Sequence, residues 1–232
     1  MVEMTITERY ERVLSWFEAN MPVAESELHY KSPYELLVAV VLSAKCTDKR
    51  VNEITPHLFK RFPDPKSLSD STAEEVFKYI RSVSYPNNKS RHLAAMGKML
   101  VAEFNSVVPD NVDDLQKLPG VGRKSANVIA SVIYDKPVIA VDTHVFRVSR
   151  RVGLSEKNTP LGVELDLTAN IPENRRAIAH HWLILHGRYI CVARKPKCSE
   201  CGLRDYCLHY HISGTTDLHK GSSGRRSETA AD

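Results

Sequence analysis

The stretch that decides the fold is Leu118-Pro119-Gly120-Val121-Gly122-Arg123-Lys124. Helical patterns precede and follow it, so this run forms a tight turn between two helices. Its glycines allow a positive φ and a close approach of the backbone to another surface. The second helix begins beside Gly122 with N–H groups that lack intrahelical partners, and Arg123 and Lys124 add positive charge there. Such a helix start favours the binding of a phosphate.

A bare Gly-x-Gly is typical of any tight connection between helices, but the complete run is more specific. It matches the helix-hairpin-helix element, which holds the DNA backbone without reading the base sequence. We therefore predict that the hairpin contacts DNA through the residues Leu118, Gly120, Val121, Gly122 and Arg123.

Apolar residues recur at three- and four-residue spacing along most of the chain, which indicates helices. The segment Leu36 to Leu42 is apolar on all sides and is predicted to be the central buried helix. Asp48 is predicted to cap the helix that follows. Further helices are predicted at Thr72–Arg81, Lys89–Phe104, Asn111–Leu118, Arg123–Tyr134, Thr143–Val152, Gly162–Asn170 and Glu173–His186. No segment shows a convincing strand alternation, so the fold class is predicted to be all-α, with about ten helices.

The composition sets limits on the class of protein. A chain of 232 residues with 42% hydrophobic residues buries a core, which excludes a disulfide-stapled miniprotein and a wholly disordered chain. The net charge of +4 permits a nucleic-acid partner without requiring one. No apolar run reaches membrane-spanning length and Met1–Glu11 does not resemble a signal peptide, so we expect a cytoplasmic protein with no membrane partner. Residues 212–232, rich in Gly, Ser and Thr, are predicted to be a disordered tail.

Lys124 and Asp142 are the candidate catalytic pair. A lysine in the first turn of a helix lies at the positive end of the helix dipole, which lowers its pKa, and Arg123 is expected to add to this effect. A neutral lysine amine forms Schiff bases, whereas a charged one would simply bind phosphate. Asp142 follows an apolar stretch and precedes a helix, so it is either a plain N-cap or a carboxylate that also assists catalysis. On the same helix, His144 and Arg147 are candidate phosphate contacts or ordinary surface residues.

Four of the five cysteines lie close together near the C-terminus, in a loop with the spacing Cys191-x6-Cys198-x2-Cys201-x5-Cys207. Four thiolates in a compact loop bind either one 4Fe-4S cluster or one zinc ion. A zinc ribbon usually has two Cys-x-x-Cys knuckles and this loop has one, so the spacing favours iron–sulfur. The loop also carries Arg194 and Lys195, and Arg188 precedes it, which predicts a second phosphate-binding surface with a structural cluster beneath it.

The hairpin, the run Val141-Asp142-Thr143-His144, the run from His181 to Arg188 and the cysteine spacing together resemble the endonuclease III family. Its members are bifunctional DNA glycosylases and abasic-site lyases of the helix-hairpin-helix superfamily. The resemblance covers roughly Thr7 to Tyr210. It implies a two-lobed fold with a helical barrel domain at 26–136 and an iron–sulfur cluster domain at 1–25 and 137–211. DNA containing a damaged base or an abasic site would be the partner, bound by a monomer, with the damaged base flipped into a pocket.

The resemblance also implies roles for individual residues. Lys124 would attack the sugar carbon that bears an oxidised pyrimidine, and the resulting Schiff base would eliminate the 3′ phosphate. Asp142 would activate the lysine or stabilise the sugar cation. Lys45 stands where the family typically has a glutamine that fills the gap left by the flipped base, and Tyr85 stands where the wedge loop commonly has leucine. We expect both positions to contact DNA, with the charge of Lys45 affecting discrimination of the opposing base.

Two other functions remain open from the sequence alone. The first is a glycosylase adapted to another base or to a mismatch, because the residues of the base pocket cannot be assigned from sequence. The second is a DNA-binding module without catalysis, which would keep the hairpin and the cluster but would not need both Lys124 and Asp142. Covalent trapping at Lys124 distinguishes the lyase from both.

Overall fold

A computed structural model of the chain describes residues 4–212, in which every regular element is a helix. The all-α prediction is therefore confirmed. The α-helices are α1 (Ile6–Asn20), α2 (Pro33–Ser43), α3 (Asp48–Arg61), α4 (Pro65–Ser69), α5 (Ala73–Ile80), α6 (Pro86–Glu103), α7 (Val112–Lys117), α8 (Arg123–Tyr134), α9 (Thr143–Val152), α10 (Pro160–Asn170) and α11 (Glu173–Tyr189). Two short 3-10 helices follow at Cys198–Glu200 and Arg204–Tyr206.

Local capping signals fix where most of these helices begin. The Ser32 hydroxyl accepts a hydrogen bond from the Glu35 N–H and Pro33 opens α2, as its sequence predicts. One predicted cap is wrong: the hydroxyl of Thr47 caps α3, and Asp48 is the first residue of the helix, where its charge favours the helix N-terminus. This displacement frees the Asp48 carboxylate for a contact with another part of the chain.

Two further differences from the predicted helices occur where the sequence has no apolar repeat. The short α4 is not predicted from the sequence, because its five residues are too few to show helical periodicity. The sixth helix begins at Pro86 rather than at Lys89. Its cap is Tyr85, which has a left-handed backbone and makes no side-chain capping bond, so the sequence marks this start by Pro86 at the first helical position and not by a capping residue.

The apolar core around α2 fills the first lobe. All of α2 from Leu36 to Leu42 is buried, as predicted, and α3, α6 and α8 pack around it. This cluster takes its buried residues from Leu28 to Ala130 with the addition of Ala140. The central position of α2 matters for function because it supports both the hairpin at the start of α8 and the loop that carries Lys45.

A second apolar core joins α1 to α9, α10, α11 and the cysteine loop. Phe17 of α1 stacks on Trp182 of α11 with ring centroids 5.6 Å apart, and the Trp182 indole N–H donates to the carbonyl of Met21 at 2.7 Å. The N-terminal helix thus packs with the C-terminal third of the chain. The exact domain bounds, 26–136 against 1–25 and 137–211, stay a prediction.

Two expectations concern the ends of the chain and the membrane. The predicted disordered tail at 212–232 lies, beyond Ile212, outside the described residues. Within residues 4–212, no helix combines the length and the apolar character that crossing a membrane would need.

Candidate active site

An open cleft of about 830 Å³ is lined by residues from both cores. It brings together five of the predicted site residues: Lys45, Lys124, Asp142, His144 and Arg188. Asp48, His180 and His181 also line it and were not predicted as site residues. The hairpin, Tyr85, Arg147, Arg194 and Lys195 lie outside the residues that form its walls.

The hairpin turns on Gly120, whose φ of 85° lies in the left-handed region that favours glycine. A Cβ at this position would lie 3.1 Å from the His92 side chain and 3.2 Å from that of Val41, so the turn is also too close to α6 and α2 for a larger residue. Leu118 and Val121 are buried and anchor the turn in the first core. Gly122, by contrast, is exposed and gives α8 no side-chain cap, so the first N–H groups of α8 are open to an anion.

Lys124, the second residue of α8, is accessible to solvent because the cleft is open, yet protein surrounds it on several sides. This partial desolvation is the main cause that lowers the pKa of its amine. Asp142 and Asp48 act in the opposite direction and raise that pKa, whereas the Arg188 guanidinium lowers it. Arg123, which the sequence suggested as the second cause, instead pairs with Glu164 at 2.6 Å. The net result is a lysine amine that loses its proton more readily than an exposed one.

Asp142 is the N-cap of α9, which is one of the two roles that its position in the sequence suggests. One oxygen of its carboxylate accepts both capping hydrogen bonds. Its Oδ1 accepts hydrogen bonds from the N–H groups of His144 and Val145, both at 2.8 Å. The second oxygen, Oδ2, makes no hydrogen bond among the described residues that would hold it. Asp142 therefore serves as a cap and still presents a carboxylate to the cleft that contains Lys124.

Arg188, near the end of α11, connects the two lobes across the cleft. Its Nη1 lies 2.7 Å from the Asp48 carboxylate and also pairs with Glu27, to which Tyr189 donates a hydrogen bond as well. These partners hold the guanidinium in place while 27% of the side chain remains exposed. The sequence offered no direct signal for the role of Asp48, because its partner is 140 positions away and the residue resembles a simple helix cap.

Two neighbouring histidines of α11 close the cleft beside Lys124. His180 is 1% exposed, and desolvation, reinforced by His181, Lys124 and Arg188, holds its pKa well below the usual range. Burial likewise lowers the pKa of His181 to about 4. Both rings are therefore neutral at physiological pH and add no positive charge to the wall. The His-His-Trp run was visible in the sequence, but only the fold turns it toward the cleft.

The other predicted DNA contacts differ in whether their side chains are exposed or already hydrogen-bonded to the protein. Lys45 and Tyr85 are both exposed and both have a φ of 56°. Arg194 and Lys195 are exposed on the cysteine loop. The Arg147 guanidinium, in contrast, donates to the carbonyls of Cys191 and Gly187 at 2.9 and 2.7 Å, so it holds the cysteine loop against α9.

The four clustered cysteines, Cys191, Cys198, Cys201 and Cys207, all line one small apolar cavity in the second lobe. Burial is the main cause that raises the pKa of Cys201 to about 11, and the nearby thiols of the other three cysteines contribute in the same direction. A 4Fe-4S cluster is bound by one cysteine at each of its four irons, so its ligands must surround the cluster. The four cysteines surround this cavity in that way. Within residues 4–212 no three such ligands converge as closely as a single metal ion needs. Cys46 is half-buried against the first core and does not line this cavity.

Comparison with known proteins gives two family matches. Residues 38–173 match the family described as HhH-GPD superfamily base excision DNA repair protein, and residues 191–207 match the iron-sulfur binding domain of endonuclease III. The second match confirms the iron–sulfur prediction over the zinc alternative.

Similar proteins and solved structures span most of the chain. Endonuclease III of Rickettsia prowazekii (strain Madrid E) is 45% identical over 199 residues, which are 86% of this chain and 94% of that protein. Endonuclease III of Escherichia coli (strain K12) is 40% identical over 195 residues, or 84% and 92% of the two chains. A trapped endonuclease III–DNA covalent intermediate matches with a TM-score of 0.86 at 40% identity, covering 91% of this chain and 100% of that one. A thermostable thymine-DNA glycosylase shares the fold, with a TM-score of 0.77 at 21% identity.

Removal of one cysteine ligand tests the metal centre. We expect Cys198→Ser to lose the broad visible absorption and the bound iron of the purified protein, because a serine hydroxyl stays protonated near neutral pH and is a harder, weaker ligand for iron than a thiolate. Iron analysis and the absorption spectrum are the measurements. Cys46→Ser is the matched control and should keep both signals. Retention of wild-type iron by Cys198→Ser would remove this residue from the ligand set.

Proposed function

This chain belongs to the HhH-GPD superfamily of base excision DNA repair proteins, and from that membership we propose that Lys124 and Asp142 form its catalytic pair. The chain is a DNA glycosylase that removes oxidised pyrimidines and has abasic-site lyase activity. We assign the steps of base removal and strand cleavage to individual residues. The observation that carries it is the meeting, in one cleft, of an amine with a lowered pKa and a helix-capping carboxylate from a separate helix.

In the first step the neutral Lys124 amine uses its lone pair to form a bond to C1′ of the damaged nucleotide. The bond between C1′ and the base breaks, and the base leaves with the electron pair and takes up a proton. The nitrogen then loses a proton and its lone pair forms a double bond to C1′, while the ring oxygen leaves C1′ with the electron pair of the broken bond and takes up a proton, which gives the protonated Schiff base. Asp142 stabilises the positive charge that develops on the sugar and accepts the proton released by the amine.

The lyase step follows from the same intermediate. The Schiff base acidifies C2′, so a base in the cleft removes a proton there. The electron pair forms a double bond between C2′ and C3′, and the bond from C3′ to oxygen breaks, which releases the 3′ phosphate. Water then hydrolyses the Schiff base and restores Lys124. Asp142 is within the same cleft as Lys124 and is suited to carry the proton in both steps.

DNA binding is assigned to surfaces on both lobes. The open N-terminus of α8 after Gly122 takes a phosphate of the damaged strand, and Arg194 and Lys195 on the cysteine loop take a second part of the backbone. Lys45 and Tyr85 enter the duplex where the damaged base is turned out. We include in this proposal the two domains, one bounded at 26–136 and the other formed by 1–25 and 137–211, with the cleft between them.

The 4Fe-4S cluster, held by Cys191, Cys198, Cys201 and Cys207, supplies a rigid centre for the loop rather than a step of the reaction. Helix α9 also holds the loop, without the help of the cluster. The Arg151 guanidinium of this helix donates to the carbonyls of Val192 and Ala193 at 2.8 and 2.9 Å. The basic side chains of the loop thus project from a fixed backbone. We further propose that the enzyme acts as a monomer in the cytoplasm, on the nucleoid, since one chain contains every group of the site.

Borohydride trapping tests the nucleophile. The wild-type protein, incubated with a duplex that contains thymine glycol and then reduced, should form a covalent adduct visible by gel electrophoresis. Lys124→Ala should form none, because alanine has no amine that can form the Schiff base. Lys117→Ala, which removes an exposed lysine just before the hairpin, is the control and should trap normally. Absence of an adduct with the wild-type protein would refute the lyase mechanism.

Asp142→Asn separates the two roles of the aspartate. Asparagine caps helices as well as aspartate does, so the free energy of unfolding should change by less than about 1 kcal/mol. Loss of the carboxylate should slow base excision by roughly 10²-fold or more, the usual contribution of a proton-transfer group. Single-turnover excision and urea unfolding are the measurements. Normal excision by this variant would leave Asp142 with the capping role alone.

The pH profile of trapping tests the electrostatics of Lys124. The rate of adduct formation should rise with pH as the amine loses its proton. Because Arg188 lowers the pKa of Lys124 while Asp48 raises it, Arg188→Met should move this rise to higher pH. The variant would then be slow at neutral pH and would recover in alkaline buffer. Arg188→Lys keeps the positive charge and should stay nearer the wild-type profile. A uniform loss at every pH would assign Arg188 to DNA binding only.

A further inference from the structure

Lys89 is a buried lysine that the reaction described above does not use. Its side chain lies inside the first lobe, with 5% of the residue exposed. The ammonium Nζ donates to the carbonyl oxygens of Leu42 and Ala44, both at 2.7 Å, and no carboxylate lies in ion-pair range among the described residues. Burial of a charged group is costly unless its hydrogen bonds are satisfied, so an ammonium held by two carbonyls has a specific reason to be there.

The two carbonyls belong to the end of α2. Ala44 is the C-cap residue of that helix and Leu42 lies in its last turn. A helix leaves its final carbonyls without intrahelical partners and bears a partial negative charge there, so a cation is favourable at this point. Lys89 lies in the first turn of α6, where a cation is unfavourable. Its placement is therefore explained by the end of α2 and not by its own helix.

Lys89 joins the two loops that carry Lys45 and Tyr85. Its side chain binds Ala44, the residue directly before Lys45, and its backbone N–H donates to the Tyr85 carbonyl at 3.1 Å. The backbone bond is the first helical hydrogen bond of α6 and needs no lysine, so the side chain is the part of Lys89 that ties the start of α6, directly after Tyr85, to the Lys45 loop. Lys45 and Tyr85 are also held in left-handed backbone conformations, with φ of 56° at both. Such conformations are unfavourable for residues other than glycine and persist only where the surroundings fix them.

We propose that Lys89 is a positioning residue that couples the Lys45 loop to the Tyr85 loop, so that both side chains enter the duplex together when a damaged base is turned out. This inference rests on the proposed function, because it needs Lys45 and Tyr85 to act on DNA. A flipped base leaves a gap, and the neighbouring bases close it unless side chains fill it at the same time. Two loops that are ordered in advance lose less conformational entropy at that moment than two independent ones.

The first experiment compares Lys89→Met with Lys98→Met, which removes an exposed lysine from the same helix. One substrate is a duplex with thymine glycol, which must be flipped, and the other is a duplex with a preformed abasic site, which has no base to unstack. A 2-aminopurine placed beside the lesion reports unstacking by its fluorescence. Single-turnover rates on both substrates and the free energy of unfolding are measured for each protein.

Lys89→Met should excise thymine glycol at least about tenfold more slowly than wild type and lose the fluorescence rise, while it cleaves the abasic site within about threefold. Lys98→Met should match wild type on both substrates. Lys89→Arg, which keeps a buried cation and its donors, should recover part of the excision rate. Equal losses on the two substrates, in step with lost stability, would overturn the proposal, as would normal excision. Inactive wild-type protein would instead refute the proposed function.

A second experiment tests the coupling without changing Lys89, in case its substitution prevents folding. Lys45→Ala, Tyr85→Ala and the double variant alter exposed side chains only. If the two loops act as one unit, the double variant should lose much less excision than the product of the two single losses. Losses that multiply would mean that the loops act independently and would overturn the proposal.

Discussion

The open N-terminus of α8 is the feature on which the rest of the structure depends. Gly122 gives this helix no side-chain cap, so its first N–H groups are unpaired, and its second residue, Lys124, lines the cleft. An uncapped helix start is less stable than a capped one. The buried residues Leu118 and Val121 and the close packing of Gly120 on α2 and α6 compensate by fixing the hairpin from below. The all-apolar α2 is the support that makes this possible.

Three arginines near the cleft hold parts of the two lobes in position. Arg123 pairs with Glu164, Arg188 with Asp48 and Glu27, and Arg147 binds backbone carbonyls at the cysteine loop. These contacts set the shape of the cleft and the electrostatic environment of Lys124. Among the predicted DNA contacts, Lys45, Arg194 and Lys195 remain exposed. Exposed basic side chains at these places are available to a polyanionic substrate although the net charge of the protein is only +4.

Much of the fold and of the site could be predicted from sequence because the signals are local. The hairpin, the buried α2, the cap at Asp142 and the cysteine spacing each depend on residues a few positions apart, and all are where the sequence placed them. The misses involve residues whose partners are distant in sequence. Asp48 meets Arg188 only through the fold, the His180 pair faces the cleft only in the folded chain, and Lys89 binds carbonyls 47 and 45 positions away. The short α4 has a cap at Asp64 but no apolar repeat, and the start of α6 has Pro86 but no side-chain cap.

The sequence by itself determined the helical class, the hairpin, the spacing of the four clustered cysteines and the two candidate residues for the chemistry, because each depends on local spacing and residue type. Tertiary structure alone decided how these parts act on one another. It enclosed Lys124 enough to lower the pKa of its amine, placed Arg188 rather than Arg123 as the cation acting on it, and brought the Lys45 and Tyr85 loops together at Lys89. Desolvation and charge interactions depend on distances through space, and only the folded chain sets those distances.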